Sequence, residues 1–166
     1  MNQVATASSS TAVATRASGA VAHVTAEQVF VTVYVHGQLF GIAVDRVQDI
    51  LIPEKVARIP LAPPEVAGAI NLRGRIVTVI DVRKRLGLPP PKNQKKVMCV
   101  TVEEGNELYS LMVDSVGNVH SLSMDAIEPN PSTLDPRWRG ISQGVVRLDG
   151  ELMVVMDVDA FLSFGS

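Results

Sequence analysis

The sequence predicts an all-β protein, mainly two small five-stranded barrels packed together, and three observations lead there. Val29, Val31, Val33 and Val35 alternate with Phe30, Thr32, Tyr34 and His36, the period-2 pattern of a half-buried strand. The stretch from Ala69 to Asp81 holds two apolar runs of strand length broken only by Arg73-Gly74, which reads as a β-hairpin. A near copy returns from Gly144 to Asp157 with Asp149-Gly150 at the break. The copy belongs to a longer repeat: Leu39–Val47 aligns without a gap on Leu108–Val116. Farther on, Gly68, Leu72, Gly74, Val79, Asp81, Val82 and Leu86 match Gly144, Leu148, Gly150, Val155, Asp157, Val158 and Leu162. Such a repeat means two similar β units, each too small to bury both faces alone.

Residues 1–26, rich in Ala, Ser, Thr and Val without periodicity, read as a disordered N-terminal tail. Ser8, Ser9, Ser10, Thr11 and Arg16 interrupt any compact apolar block of the kind a secretory signal needs. The folded part is expected over 27–164. After the first strand, His36-Gly37-Gln38 makes a turn and Leu39–Val44 a second strand. Asp45 is placed to cap a helical turn through Arg46-Val47-Gln48, and Asp49–Ile52 resumes extended chain. Pro53, Pro60, Pro63 and Pro64 forbid regular structure over 53–64, apart from a short helix starting at Pro63-Pro64-Glu65. The first hairpin is followed by a basic helical turn, Val82–Leu86, which Gly87 and Pro89-Pro90-Pro91 end. The seam between the repeats falls near 87–95. In the second repeat, Lys96–Val102 and Leu108–Val113 are strands, and a helical turn spans 157–163.

Composition narrows function. Hydrophobic residues make up 46% of the 166 and aromatics 4%, so Val, Ile, Leu and Met fill the core. The net charge of −2 argues against nucleic-acid binding, which needs a basic surface. Residues 1–100 hold 12 Lys/Arg and 6 Asp/Glu, a balance of +6, whereas 101–166 hold 3 and 11, a balance of −8. That split suits charge-complementary protein contacts. No apolar run approaches the ~20 residues a spanning helix needs, so membrane insertion is not expected. A single cysteine, Cys99, fits a reducing cytoplasm and reads as a buried core thiol.

Catalytic and metal chemistry find little footing. Asp81 and Asp157 occupy equivalent repeat positions and raise the idea of an aspartic hydrolase, in which each half supplies one carboxylate. That chemistry needs each Asp on a tight loop, whereas both here lead into helical turns, and N-capping accounts for them more simply. His23, His36 and His120 have no ligand spacing to Cys99 or to one another. No glycine-rich phosphate loop exists, and no cofactor is expected. Trp138, between Arg137 and Arg139, fits either an interface anchor or the cap of a lobe. Arg73 is the anomaly. Its turn slot favours Asp or Asn, as Asp149 in the copy illustrates, so an arginine there points to a partner.

The pattern Phe40-Gly41-Ile42, Val47-Gln48-Asp49-Ile50, Ile59-Pro60, Gly68–Gly74 and Val79-Ile80-Asp81 resembles the CheW coupling proteins of bacterial chemotaxis. Val113–Val116, Ile127-Glu128-Pro129, Arg139-Gly140-Ile141 and Leu148-Asp149-Gly150 agree with it. The resemblance implies two intertwined five-stranded barrels with short connecting helical turns and no enzymatic activity. It implies a cytoplasmic adaptor, peripheral to receptor arrays, that links the hairpin tips of chemoreceptors to the regulatory domain of the histidine kinase CheA. By resemblance, the Asn71-Leu72-Arg73-Gly74 turn carries the arginine tied to receptor binding. Val47 and Asp49 match a Val-x-Glu segment tied to receptor or kinase contact, with Asp in place of Glu. A CheW-like module of another chemosensory pathway is the rival reading. Because the chain starts at Met1 with its own tail, a detached kinase regulatory domain is the less expected one.

Overall fold

The computed structural model describes residues 26–92 and 97–164. The tail expected over 1–26 lies outside them except for Ala26, as does the part of the seam at 93–96. In chain order the described elements are β1 (Glu27–Val35), β2 (Gln38–Ala43), β3 (Val47–Leu51), β4 (Val66–Leu72), β5 (Arg75–Asp81) and α1 (Val82–Arg85). Then come β6 (Met98–Glu104), β7 (Glu107–Val113), β8 (Ser115–Ser123), α2 (Pro136–Arg139), β9 (Ser142–Leu148), β10 (Glu151–Met156) and α3 (Val158–Phe161).

The strands form two five-stranded sheets, one ordered β9-β10-β2-β1-β8 and the other β3-β6-β7-β5-β4. Each repeat therefore gives its leading hairpin to one sheet and its remaining three strands to the other. Two parallel pairings make the exchange. Met153, Val154 and Val155 of β10 sit beside Leu39, Phe40 and Gly41 of β2. Thr78–Asp81 of β5 sits beside Tyr109–Met112 of β7. The barrels are thus intertwined, as the resemblance implies. The exchange also redistributes charge: Glu103, Glu104 and Glu107 of the acidic sequence half share a sheet with Arg75 of the basic one.

One bridge closes each barrel. The chain leaving β3 crosses to the opposite edge strand, where Ala57 and Ala69 exchange two backbone hydrogen bonds of 2.9 and 2.7 Å. The chain leaving β8 does the same through Glu128 and Val145, at 2.7 and 2.9 Å. Each crossing lies against a bulge that places a glycine at positive φ, Gly68 at 152° and Gly144 at 147°. A Cβ on Gly68 would stand 2.2 Å from the Ala57 carbonyl oxygen, and one on Gly144 2.5 Å from that of Glu128. Only glycine allows both the backbone conformation and the approach.

The core follows from the exchange. Phe30, Leu39, Val146, Met153 and Val155 fill the first barrel, and Ile70, Val77, Val79 and Cys99 the second. The largest cluster, with Phe40, Ile42, Ile80, Leu86, Leu111 and Phe161, draws on both repeats. Asp81 and Asp157 cap α1 and α3, accepting from Lys84 N at 3.2 Å and Ala160 N at 3.1 Å. Arg85 joins the two helical turns by donating to the Phe161 carbonyl at 2.8 Å while stacking on the Phe161 and Phe164 rings. Trp138 caps the shared core, its Nε1 donating to Leu86 O at 3.0 Å and its ring against Phe40.

Arg83 clamps the barrels together. Its guanidinium donates to both carboxylate oxygens of Asp114, at 3.1 and 2.7 Å, and to the Pro89 carbonyl at 2.8 Å. Asp114 also accepts from the His36 backbone amide at 2.8 Å. One carboxylate thus ties the β1–β2 turn, α1 and the β7–β8 crossover.

Local readings depart from the structure in four places. The helical turn is a 3-10 turn at Val44–Arg46, and Val47-Gln48 already belong to β3. No helix starts at Pro63; Val66 N bonds Pro63 O in a turn that leads directly into β4. Of the strand expected from Lys96, Lys96 lies outside the described residues and Val97 precedes β6, which begins at Met98. Helix α2, capped by Asp135 with Pro136 in its first turn, was not expected.

Two outcomes are expected. Gly68→Ala costs about 2 kcal/mol in urea unfolding, whereas Gly140→Ala, with open space around its Cβ, stays within about 0.5 kcal/mol. Partial burial pushes the Asp114 carboxyl up, but the bonds from Arg83 and the His36 amide outweigh it and hold it below the usual carboxylate range. A depressed pKa stabilises above the unfolded value near ~4 and is lost as pH falls through the lower folded value. Asp114→Asn is therefore about 2 kcal/mol less stable than the parent at pH 7, and denaturant titrations show the gap narrowing below about pH 4.

Candidate partner-binding face

The β4–β5 turn has positive φ at both residues, 53° at Arg73 and 85° at Gly74, the signature of a type I′ hairpin. The copy at Asp149 and Gly150 has 45° and 83°. The backbone is the same, so the residue difference is not imposed by geometry. Asn71 holds the turn, its Oδ1 accepting from Gly74 N at 2.9 Å.

Closure of the barrel brings β3 to this turn. The Arg73 guanidinium lies 3.0 Å from the Asp49 carboxylate, with the arginine side chain 78% exposed and the aspartate 21%. The other Asp49 oxygen accepts from its neighbour's amide, Ile50 N, at 2.9 Å. An ion pair so open to water contributes only about 0–1 kcal/mol. Its main effect is to aim the guanidinium. Two residues singled out separately in sequence are therefore one unit in space.

The remaining expected residues divide. Leu72 and Val47 are half-buried, Leu72 packed on the core of its own barrel and Val47 on the shared core. Gly74 supplies the turn conformation. Val47 thus supports the face from inside. The exposed apolar surface comes instead from Ile50, Ile52 and Ile76, at 39%, 58% and 75% exposure. Ile76 stands opposite Asn71 in the ladder, and Ile52 borders a groove of about 460 Å³ that Asn71 and Leu72 also line. The available signal was an isoleucine in the outward phase of a strand, directly after Arg75.

Catalytic and metal readings find no geometry. Both oxygens that would serve a hydrolase belong to helix-capping aspartates, Asp81 and Asp157. Among the described residues no group of three or more His, Cys, Asp or Glu could hold a metal ion. Cys99 is buried in β6, and burial pushes its thiol above the ordinary value, away from the reactive thiolate. No helix among the described residues is long and apolar enough to cross a membrane.

Fold and face together define a β scaffold whose chemistry is surface contact. The CheW-like domain model matches residues 29–165. A chemotaxis protein CheW of Bacillus subtilis is 28% identical over 128 residues, covering 77% of this chain and 82% of that protein. The Klebsiella aerogenes protein of the same name is 27% identical, with 84% of each covered. The crystal structure of the scaffolding protein TtCheW from Thermoanaerobacter tengcongensis superposes with a TM-score of 0.75 at 25% identity, covering 84% of this chain and 95% of that one. The chain belongs to the CheW-like family.

The role of Asn71 can be checked. Asn71→Ala removes the Oδ1 bond to Gly74 N and lowers unfolding stability by about 1 kcal/mol, with amide exchange at Gly74 rising while the β9–β10 turn stays protected.

Proposed function

We propose that this protein is a non-enzymatic chemotaxis adaptor in the cytoplasm, coupling chemoreceptor hairpin tips to the regulatory domain of the histidine kinase CheA. Family membership supports the adaptor role. The observation that carries the site is the Arg73–Asp49 pair on an exposed type I′ turn. Val47, Asp49, Asn71, Leu72, Arg73 and Gly74 form the proposed interface, and Ile50, Ile52 and Ile76 extend it.

The mechanism follows from rigidity and charge. A turn held by Asn71 and by two positive-φ residues loses little conformational entropy when a partner docks. Arg73 presents a planar fork of donors, suited to carboxylates and to exposed carbonyls at the end of a receptor helix. Asp49 directs that fork toward β3 rather than leaving it free above the turn. Apolar side chains of the partner then meet Ile52 and Ile76 as water leaves. Burial of aliphatic surface provides affinity, and the arginine sets register.

The test uses the fold's own alternative. Asn accepts positive φ better than Arg, so Arg73→Asn keeps the turn and the stability of the parent. Calorimetry with a soluble receptor hairpin fragment is expected to show a loss of about 30-fold, near 2 kcal/mol. A loss smaller than about threefold removes Arg73 from the interface.

A further inference from the structure

Leu61 is fully exposed, at 104% of its reference area, and its backbone sits at φ 61°. That conformation costs leucine about 1–2 kcal/mol. The other described non-glycine residues at positive φ, His36, Arg73 and Asp149, all make hairpin turns. Leu61 instead holds the third position of a β-turn outside any hairpin, Ile59–Ala62, with Pro60 before it and the Ala62 N to Ile59 O bond of 3.4 Å closing it. Ile59 beside it is 40% exposed. Pro60 and Pro63 stiffen the arch, so an unfavourable conformation is held around an aliphatic side chain that no neighbour among the described residues covers. Arg58-Ile59-Pro60-Leu61-Ala62-Pro63 is spaced like a polyproline ligand, but positive φ at Leu61 breaks the left-handed helix such a ligand needs.

Against the arch lies a groove of about 730 Å³, lined also by Val66, Arg58 and Lys84. Neither cation forms an ion pair among the described residues. The Ala57–Ala69 bridge separates this loop from Ile52 and Asp49, so the arch and the Arg73 turn lie on either side of the barrel closure.

We propose that Leu61, Ile59, Arg58 and Lys84 form a second docking surface, occupied by an acidic, apolar protein segment of a partner other than the one at Arg73. The proposal rests on the adaptor reading, because holding two partners at once requires two surfaces that do not overlap. Leu61 inserts into the partner, an aliphatic side chain of the partner enters the groove against Val66, and its carboxylates meet Arg58 and Lys84. The preformed arch keeps the ordering cost small, and the two cations steer an acidic segment rather than a basic one.

Leu61→Asn separates docking from folding, since Asn takes positive φ readily and leaves stability equal or higher. Calorimetry of the parent, Leu61→Asn and Arg58→Glu/Lys84→Glu proteins against a purified receptor hairpin fragment and a purified kinase regulatory domain gives the answer. The expected result is a loss of at least about tenfold for the kinase regulatory domain in both variants, larger at low salt for the charge variant, with the receptor fragment proposed at Arg73 unchanged within about twofold. Loss of the receptor fragment alone overturns the proposal. Retention of both partners by Leu61→Asn overturns the proposal and leaves the adaptor reading intact. Loss of both partners merges the surface with the Arg73 face and also overturns it. Self-association of the parent in sedimentation, abolished in Leu61→Asn, overturns it in favour of a second copy as occupant. Failure of the parent to bind either partner overturns the adaptor reading together with the proposal.

Discussion

The backbone exchange between Ala57 and Ala69 is the constraint on which the Arg73–Asp49 face depends. It draws the chain leaving β3 across to β4, and it operates because Gly68 has no side chain to strike the Ala57 carbonyl. Asp49 precedes that crossing by eight positions and Arg73 follows Gly68 by five. Their 3.0 Å contact therefore follows from closure rather than from proximity in sequence. The same crossing sets the loop from Arg58 to Pro64 on the far side, where its apolar arch faces solvent. One bridge thus positions both the Arg73 turn and the Leu61 arch.

Exchange of strands explains why a chain poor in aromatics has a deep core. Two separate barrels would each enclose only a handful of aliphatic side chains, as the small clusters around Met153 and Val77 illustrate. Pairing β5 with β7 and β10 with β2 brings Ile80, Leu111, Phe40 and Val154 into one cluster shared by both repeats. Arg83 and Arg85 then fasten the helical turns across the junction through carbonyls and a carboxylate. Neither repeat can leave without opening the shared core. The surfaces are accordingly held on a rigid frame.

Much of this was legible in the sequence where the physics is local. Period-2 alternation in β1, turn chemistry at Asp149-Gly150 and the capping positions of Asp81 and Asp157 each depend on neighbours in the chain. The misread helix at Arg46-Val47-Gln48 depended on a cap signal that competed with the repeat, whose matching residues Ser115-Val116-Gly117 are extended. Helix α2 carried its signal in Asp135-Pro136, an N-cap followed by a first-turn proline. The pairing of Asp49 with Arg73 was not legible, because it depends on a closure formed by residues far apart in sequence. Arg73 itself was visible because the second repeat shows what the turn requires when nothing else is asked of it.

Equivalent positions at the two hairpin turns carry opposite charge. Arg73 and Arg75 in the first hairpin correspond to Asp149 and Glu151 in the second, on turns of the same conformation. The helical turns differ in sign as well. Arg83 of α1 meets Asp114, whereas its counterpart in α3, Asp159, meets Arg46, a residue that aligns with Ser115. A duplicated fold with like charges would present two similar faces and compete with itself for one partner. Reversal of sign makes the faces unlike without altering the backbone, since the charges sit on turns and at half-exposed junctions where burial does not dictate the residue. Duplication supplies the rigid frame, and charge divergence makes the two hairpin turns electrostatically unlike.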